Sequence, residues 1–163
     1  MQIKISIYML LLIIIGLLAS NSHQARADAM DDVGCLVEAI YFEARGESVV
    51  GMIAVGQVIL NRVNDERFPQ DVCSVVHAGH YWNSHPVRDR CQFSYWCDGK
   101  PERYNDINAL DTVKISVDSL LNGVRIEGLG KATYYHATHV APYWTKDFKR
   151  IRQIEGHIFY EPK

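Results

Sequence analysis

A basic surplus is missing from this chain. Its 17 Lys and Arg stand against 19 Asp and Glu, and the formal net charge is −2. That balance argues against a nucleic-acid partner, which calls for a basic face. There is no CxxC pair, so a cysteine zinc site lacks its usual spacing. There is no HExxH of a zinc protease and no GxSxG of a serine hydrolase. Internal repeats, low-complexity tracts and long linkers are also absent. At 163 residues the chain has the length of one domain.

The first segment is of another kind. Lys4 precedes the apolar run "ISIYMLLLIIIGLLA", and "ARADA" follows a short polar stretch. A basic start, an apolar middle and a small-x-small exit are the parts of a secretory signal peptide. The run of about 15 residues is short for a membrane span. The expectation is a signal over residues 1–27, with cleavage after Ala27 or Ala29, and no membrane attachment once it is removed. Its removal takes away Lys4 and Arg26 and leaves a net charge near −4. A domain over residues 30–163 is then long enough for a proper core.

Four cysteines lie in that domain: Cys35, Cys73, Cys91 and Cys97. An even count in an exported chain reads as two disulfides, with three possible connectivities. The short spacing favours a Cys91–Cys97 staple, which leaves Cys35–Cys73.

Val33, Leu36, Val37, Ile40 and Ala44 follow a helical stripe. Gly46 ends that helix, and Ser48 can cap the next, "VVGMIAVGQVILNRV". That segment is apolar nearly all round and reads as the buried central helix. "FPQDVCSVVHAG" reads as a short third helix with Pro69 near its start. Residues 80–104 read as a long loop, which in a compact domain is usually functional. Ile107, Leu110, Val113, Val117 and Leu120 stripe a last long helix, stopped by Gly123. "KATYYHA" and "GHIFYEP" are β-prone. The expected fold is α+β and mainly helical, with a small β segment near the C-terminus.

"LVEAIYFEARGE" places three carboxylates within a short reach. On a helical wheel Glu38 points away from the apolar stripe and reads as a solvated charge. Glu43 falls about 20° from Leu36, at the stripe's edge. It also sits in the helix's last turn, where the dipole disfavours an anion. Both effects favour the protonated acid, which can donate to a leaving group. Pairing of Glu43 with Arg45 or Arg62 is the structural alternative. Glu47, beyond Gly46, is either a second carboxylate or a cap on the helix from Ser48. Asn61 and Arg62 read chiefly as polar ties holding loops. Histidines pair as HxxH at His77/His80 and at His136/His139. Such pairs suit a metal only with further ligands, so no metal or other cofactor is expected.

Several blocks together resemble the SleB/CwlJ-type cell-wall hydrolases, peptidoglycan-cleaving enzymes first known from spore cortex lysis. They are "IYFEARGES" with "GMIAVGQVILNRV", then "FPQDVCSVV", "CQFSYWCDG", "ATYYHATHVAPYW" and "IEGHIFY". They stand in the family's order and span nearly the whole domain. The cysteines bordering "QFSYW" look like those of exported Gram-negative members. The resemblance implies a lysozyme and lytic transglycosylase-like fold, a periplasmic location and peptidoglycan as partner. It implies a catalytic glutamate at the end of the first helix, matched by Glu43. It also implies a glycan groove involving Gln92, Phe93 and Ser94, and Tyr134, Tyr135 and His136. The implied reaction cuts between N-acetylmuramic acid and N-acetylglucosamine as a lytic transglycosylase. The alternatives are a hydrolytic muramidase using Glu43 with Glu47, a non-catalytic wall-binding protein, or a zinc amidase. A spore role is not implied by the family name alone.

Overall fold

The computed structural model describes Ile13, Ala29 and residues 31–163. The expected signal segment otherwise lies outside the described residues. Contacts divide the chain after Asp32, and the unit Val33–Lys163 carries the core. No helix among the described residues is long and apolar enough to cross a membrane.

The fold is α+β. Helix α1 runs through residues 31–44 and buries Leu36, Ala39, Ile40 and Ala44. Helix α2 is Val49–Val63, capped by Ser48, whose hydroxyl accepts the Val50 N–H at 3.2 Å. Its residues from Gly51 to Ile59 are all buried, as expected for an element apolar on every side. Gly56 brings the neighbouring helices close: a Cβ there would stand 2.7 Å from Ile40 Cδ1 and would also crowd Leu120 Cδ1.

Helix α3 is only Val72–Val76. Its cap is Asp71, which accepts the Ser74 N–H at 2.7 Å, so Pro69 lies before the helix rather than in its first turn. Helix α4, Ile107–Leu121, starts at Asp106, which accepts the Ala109 N–H at 3.0 Å. It ends in a Schellman motif, with Gly123 N–H on Leu120 O at 3.0 Å and Val124 N–H on Ser119 O at 2.9 Å.

Residues 80–104 are more ordered than a long loop. Strands β1, Gly79–Trp82, and β2, His85–Cys91, form an antiparallel hairpin. Its two-residue tip, Asn83 and Ser84, has φ of 47° and 63°, as a type I′ connection requires. A 3₁₀ turn follows over Ser94–Cys97. A second sheet has the order β3-β5-β4, all antiparallel, from Tyr134–Ala137, Phe148–Ile154 and His157–Pro162. Strand β4 makes this a three-stranded sheet where the sequence indicated a pair. Tyr135 pairs with Phe159 and His136 with Ile158.

Disulfides join Cys35 to Cys73 and Cys91 to Cys97. The first ties α1 to α3 across 38 residues. Closing a loop of that size stabilises the fold by about 4 kcal/mol in the chain-entropy account. Replacing both Cys35 and Cys73 by Ala is expected to lower the unfolding free energy by about 3–4 kcal/mol. Urea titration of the oxidised wild type and the double variant measures this.

Candidate active site

The end of α1 meets the face of β3. The Tyr135 hydroxyl donates to Glu43 Oε2 at 3.0 Å. Burial pushes the Glu43 carboxyl above its ordinary value of 4.5, while the Tyr135 bond and the charge of Arg62 oppose the rise. The same burial, with the Glu43 charge beside it, raises the Tyr135 hydroxyl well above its usual range. Tyr135 therefore stays a donor, and one carboxyl oxygen remains to carry Glu43's proton.

Three side-chain bonds from the last turn of α2 hold the approach to β3. Asn61 Nδ2 donates to Leu129 O at 2.7 Å and to Ala132 O at 2.8 Å. Arg62 Nε donates to Thr133 O at 2.8 Å. The Arg62 guanidinium lies 5.4 Å from the Phe68 and Phe93 ring centres and 5.6 Å from that of Tyr134. It is buried, and its Nη1 has no hydrogen-bond partner. Aromatic faces thus surround a cation whose field reaches Glu43. Asn61 and Arg62 do tie loops together, and Arg62 adds an electrostatic contribution beyond that.

Glu43 borders two adjoining cavities of about 480 and 390 Å³, which share Phe42, Glu43 and Ser94. The first runs along Arg45, Tyr95 and residues 98–106. The second is bordered by Gln92, Phe93, Tyr135, His136 and Val140. A carboxyl at the junction of two open half-clefts can reach a bond in a chain that lies across both.

The remaining candidates separate. Gln92 and Ser94 are exposed on the cleft, whereas Phe93 is buried under Arg62. Tyr135 faces Glu43. Tyr134 turns to the other side, with its ring centre 4.1 Å from Phe148 and 5.7 Å from Trp144. His136 borders the second half-cleft, its Nε2 2.9 Å from the Tyr160 hydroxyl. Among the described residues no group of three or more His, Cys, Asp or Glu is placed to hold a metal ion.

Glu47 faces the β4–β5 turn. Its Oε2 accepts the Gly156 N–H at 3.2 Å, and Oε1 stands 3.7 Å from His157 Nδ1. Burial, then the adjacent Glu155 carboxyl, raise Glu47, while bonds from Ser48 hold Glu155 down. A Cβ on Gly51 would fall 2.7 Å from Glu155 Oε2 and 2.8 Å from Glu47 Cβ, so this meeting of turns needs the bare backbone. His157 is buried beside this turn, and its Nδ1 has no hydrogen-bond partner.

Glu38 departs from its reading as a solvated charge. Its Oε1 lies 3.2 Å from His77 Nε2 and accepts the Tyr95 hydroxyl at 3.2 Å. His77 in turn stacks on Trp96 with ring centres 3.6 Å apart. The wheel direction was sound, but α3 and the 3₁₀ turn cover that side of α1. Of the stretch read as a functional loop, Asp98, Lys100, Pro101, Glu102 and Arg103 border the first half-cleft, and Asn105 and Asp106 extend that border past its expected end.

In this mainly helical unit a glutamate at the end of the first helix opens onto two adjoining half-clefts. The chain belongs to the cell wall hydrolase family, whose model matches residues 46–160. Glu47 falls within that match and Glu43 just before it. The chain is 33% identical over 130 residues to a spore cortex-lytic enzyme of Halalkalibacterium halodurans, covering 79% of this chain and 34% of the relative. It is 32% identical over 133 residues to the spore cortex-lytic enzyme of Bacillus subtilis, covering 80% and 38%. The chain thus spans little more than a third of the length of these relatives. The solved catalytic domain of the germination-specific lytic transglycosylase SleB from Bacillus anthracis superposes with a TM-score of 0.60 at 29% identity, covering 80% of this chain and 93% of that domain. The Bacillus cereus SleB catalytic domain gives 0.57 at 28%, covering 81% and 91%.

The raised Glu43 carboxyl has a consequence for stability. The folded chain holds this proton more tightly than the unfolded chain. The contribution is complete below the unfolded pKa and is lost as pH rises through the window up to the folded one. Glu43→Gln removes the cost of burying an anion. Its Tm is expected to exceed that of wild type by a few degrees near pH 7 and to converge with it near about pH 4. Calorimetry across that range checks the sign, and a variant less stable at pH 7 would contradict it.

Proposed function

We propose that this chain cleaves peptidoglycan glycan strands between N-acetylmuramic acid and N-acetylglucosamine, as a lytic transglycosylase with Glu43 as general acid. The observation that carries this reading is the buried Glu43, its carboxyl raised above the ordinary value by burial, at the junction of the two half-clefts. The other carboxylates bordering the cleft are unsuited to the role. Asp98 is held below its usual range by the Lys100 backbone N–H. Asp106 caps α4, and Glu102 is exposed.

The reaction needs one proton moved twice. Glu43 gives its proton to the glycosidic oxygen. The bond from that oxygen to C1 of the muramic residue breaks, and its electron pair leaves with the glucosamine O4. Tyr135 and the field of Arg62 steady the Glu43 carboxylate while C1 is electron-poor. The muramic C6 hydroxyl then attacks C1 and returns its proton to Glu43. The products are a 1,6-anhydromuramic end and a free glucosamine 4-hydroxyl. The hydrolytic scheme with Glu47 has less support, because Glu47 accepts the Gly156 N–H, lies beside Glu155 and borders neither half-cleft. Export to the periplasm fits the disulfides and the signal-like leader.

Mass spectrometry of products released from purified sacculi tests the reading. Wild type is expected to release 1,6-anhydromuropeptides, and Glu43→Gln to be slower by at least about 10²–10⁴-fold. Unchanged activity of Glu43→Gln would overturn Glu43 as the acid. Reducing muramic ends would overturn the transglycosylase outcome in favour of hydrolysis.

Protonation of Glu43 also sets a pH dependence. Activity is expected to fall as pH rises through the raised Glu43 pKa. Tyr135→Phe removes a bond that favours the anion, so its alkaline limb should move to higher pH while the maximal rate falls. A pH–rate profile of both proteins checks the direction.

A further inference from the structure

The two half-clefts differ in which cations they expose. The β3 side borders on Gln92, His136 and Val140, with its one arginine, Arg62, buried. The other side carries Arg45 and Arg103, both exposed, and neither enters an ion pair among the described residues. The Arg45 guanidinium lies 5.2 Å from the Tyr41 ring centre, so an aromatic face supports it in place of a carboxylate. The other charges on this side are mostly engaged. Lys100 is 3.3 Å from Asp98, and Asp106 is spent on the α4 cap. Two guanidinium groups outside ion pairs share this side with two carboxylates outside ion pairs, Glu102 and Asp106, the second of them turned to the Ala109 N–H.

We infer that Arg45 and Arg103 form a carboxylate-binding subsite that seats the muramic residue on this side of Glu43. This rests on the glycan-cleaving reading above. The two sugars of the strand differ in acidity. N-acetylglucosamine has no acidic group. N-acetylmuramic acid carries a lactyl ether whose carboxyl is either free or extended by a peptide that bears carboxylates of its own. A planar guanidinium matches a carboxylate through two parallel N–H donors. The half with the exposed guanidinium groups therefore takes the muramic residue, whose C1 reacts, and the half whose arginine is buried takes the departing glucosamine. The pair thus sets the direction in which the strand lies across the acid.

The test crosses a change in the substrate with a change in the enzyme. Sacculi are amidated with carbodiimide and ammonia, which converts carboxylates to neutral amides. A second preparation is stripped of its peptides by an amidase, leaving free lactyl carboxylates. Initial rates at low substrate, proportional to kcat/KM, are read for wild type and for Arg45→Gln/Arg103→Gln. Both positions are exposed, and circular dichroism with Tm confirms the fold of the variant.

Wild type is expected to cleave amidated sacculi about tenfold less efficiently than untreated sacculi. The variant is expected to lose about tenfold on untreated sacculi, and the two losses should not multiply. Sensitivity to the variant that persists on stripped strands assigns the ligand as the lactyl carboxylate. Sensitivity that vanishes there assigns it to the peptide. Equal cleavage of amidated and untreated sacculi by wild type overturns the subsite, as does the same fractional loss in the variant on both. No Glu43-dependent product from any substrate overturns the glycan-cleaving reading itself.

Discussion

The last turn of α2 reaches three carbonyls of the segment that leads into β3, and the site depends on that tie. Asn61 and Arg62 together hold Leu129, Ala132 and Thr133. Tyr135 follows two residues later and meets Glu43 across the cleft. A sheet strand is thereby placed against the end of α1 through an intermediary that belongs to neither. The intermediary is buried and charged, and the rings of Phe68, Phe93 and Tyr134 surround its guanidinium. The tie is therefore rigid by packing as well as by hydrogen bonding, and it carries a positive field into the site.

Two glutamates four residues apart end in opposite circumstances because of the turn between them. Glu43 belongs to the helix and faces the cleft, where burial raises its carboxyl. Glu47 lies beyond Gly46 and meets the β4–β5 turn, where it accepts the Gly156 N–H and lies beside Glu155. Both are raised above the ordinary carboxyl value, so a perturbed acid alone does not distinguish a chemical role from an architectural one. Of the two, Glu43 alone borders the open half-clefts.

The sequence was most legible where a single element determines its own environment. The stripes of α1 and α4 and the all-apolar α2 follow from helical periodicity, as does Glu43's place at the stripe's edge. Elements that depend on partners were harder to read. Strand β2, "HPVRDRC", is polar and half exposed, and its pairing is marked mainly by the turn at Asn83 and Ser84. Strand β4, "FKRIRQI", exposes most of its charged side chains and shows little apolar alternation. The wheel gave Glu38 the correct direction but could not show His77 and Tyr95 arriving there from elsewhere in the chain. Which of Tyr134 and Tyr135 faces the acid was likewise undetermined, since alternation along a strand fixes relative faces and not their identity.

The cleft's two walls differ in origin. Glu43, Arg62 and Tyr135 stand on α1, α2 and β3 and share the core's packing. The facing wall, from the β1–β2 hairpin through the residues before α4, is one continuous excursion between α3 and α4. It is closed on itself by Cys91–Cys97 and anchored to α1 by Tyr95 on Glu38. Insertions or deletions in its exposed part before α4 would reshape the groove and leave the Tyr135–Glu43 bond and the Arg62–Phe93 contact in place. On the proposed reading, the architecture separates chemistry from reach: the strands accepted can diversify around one unaltered proton donor.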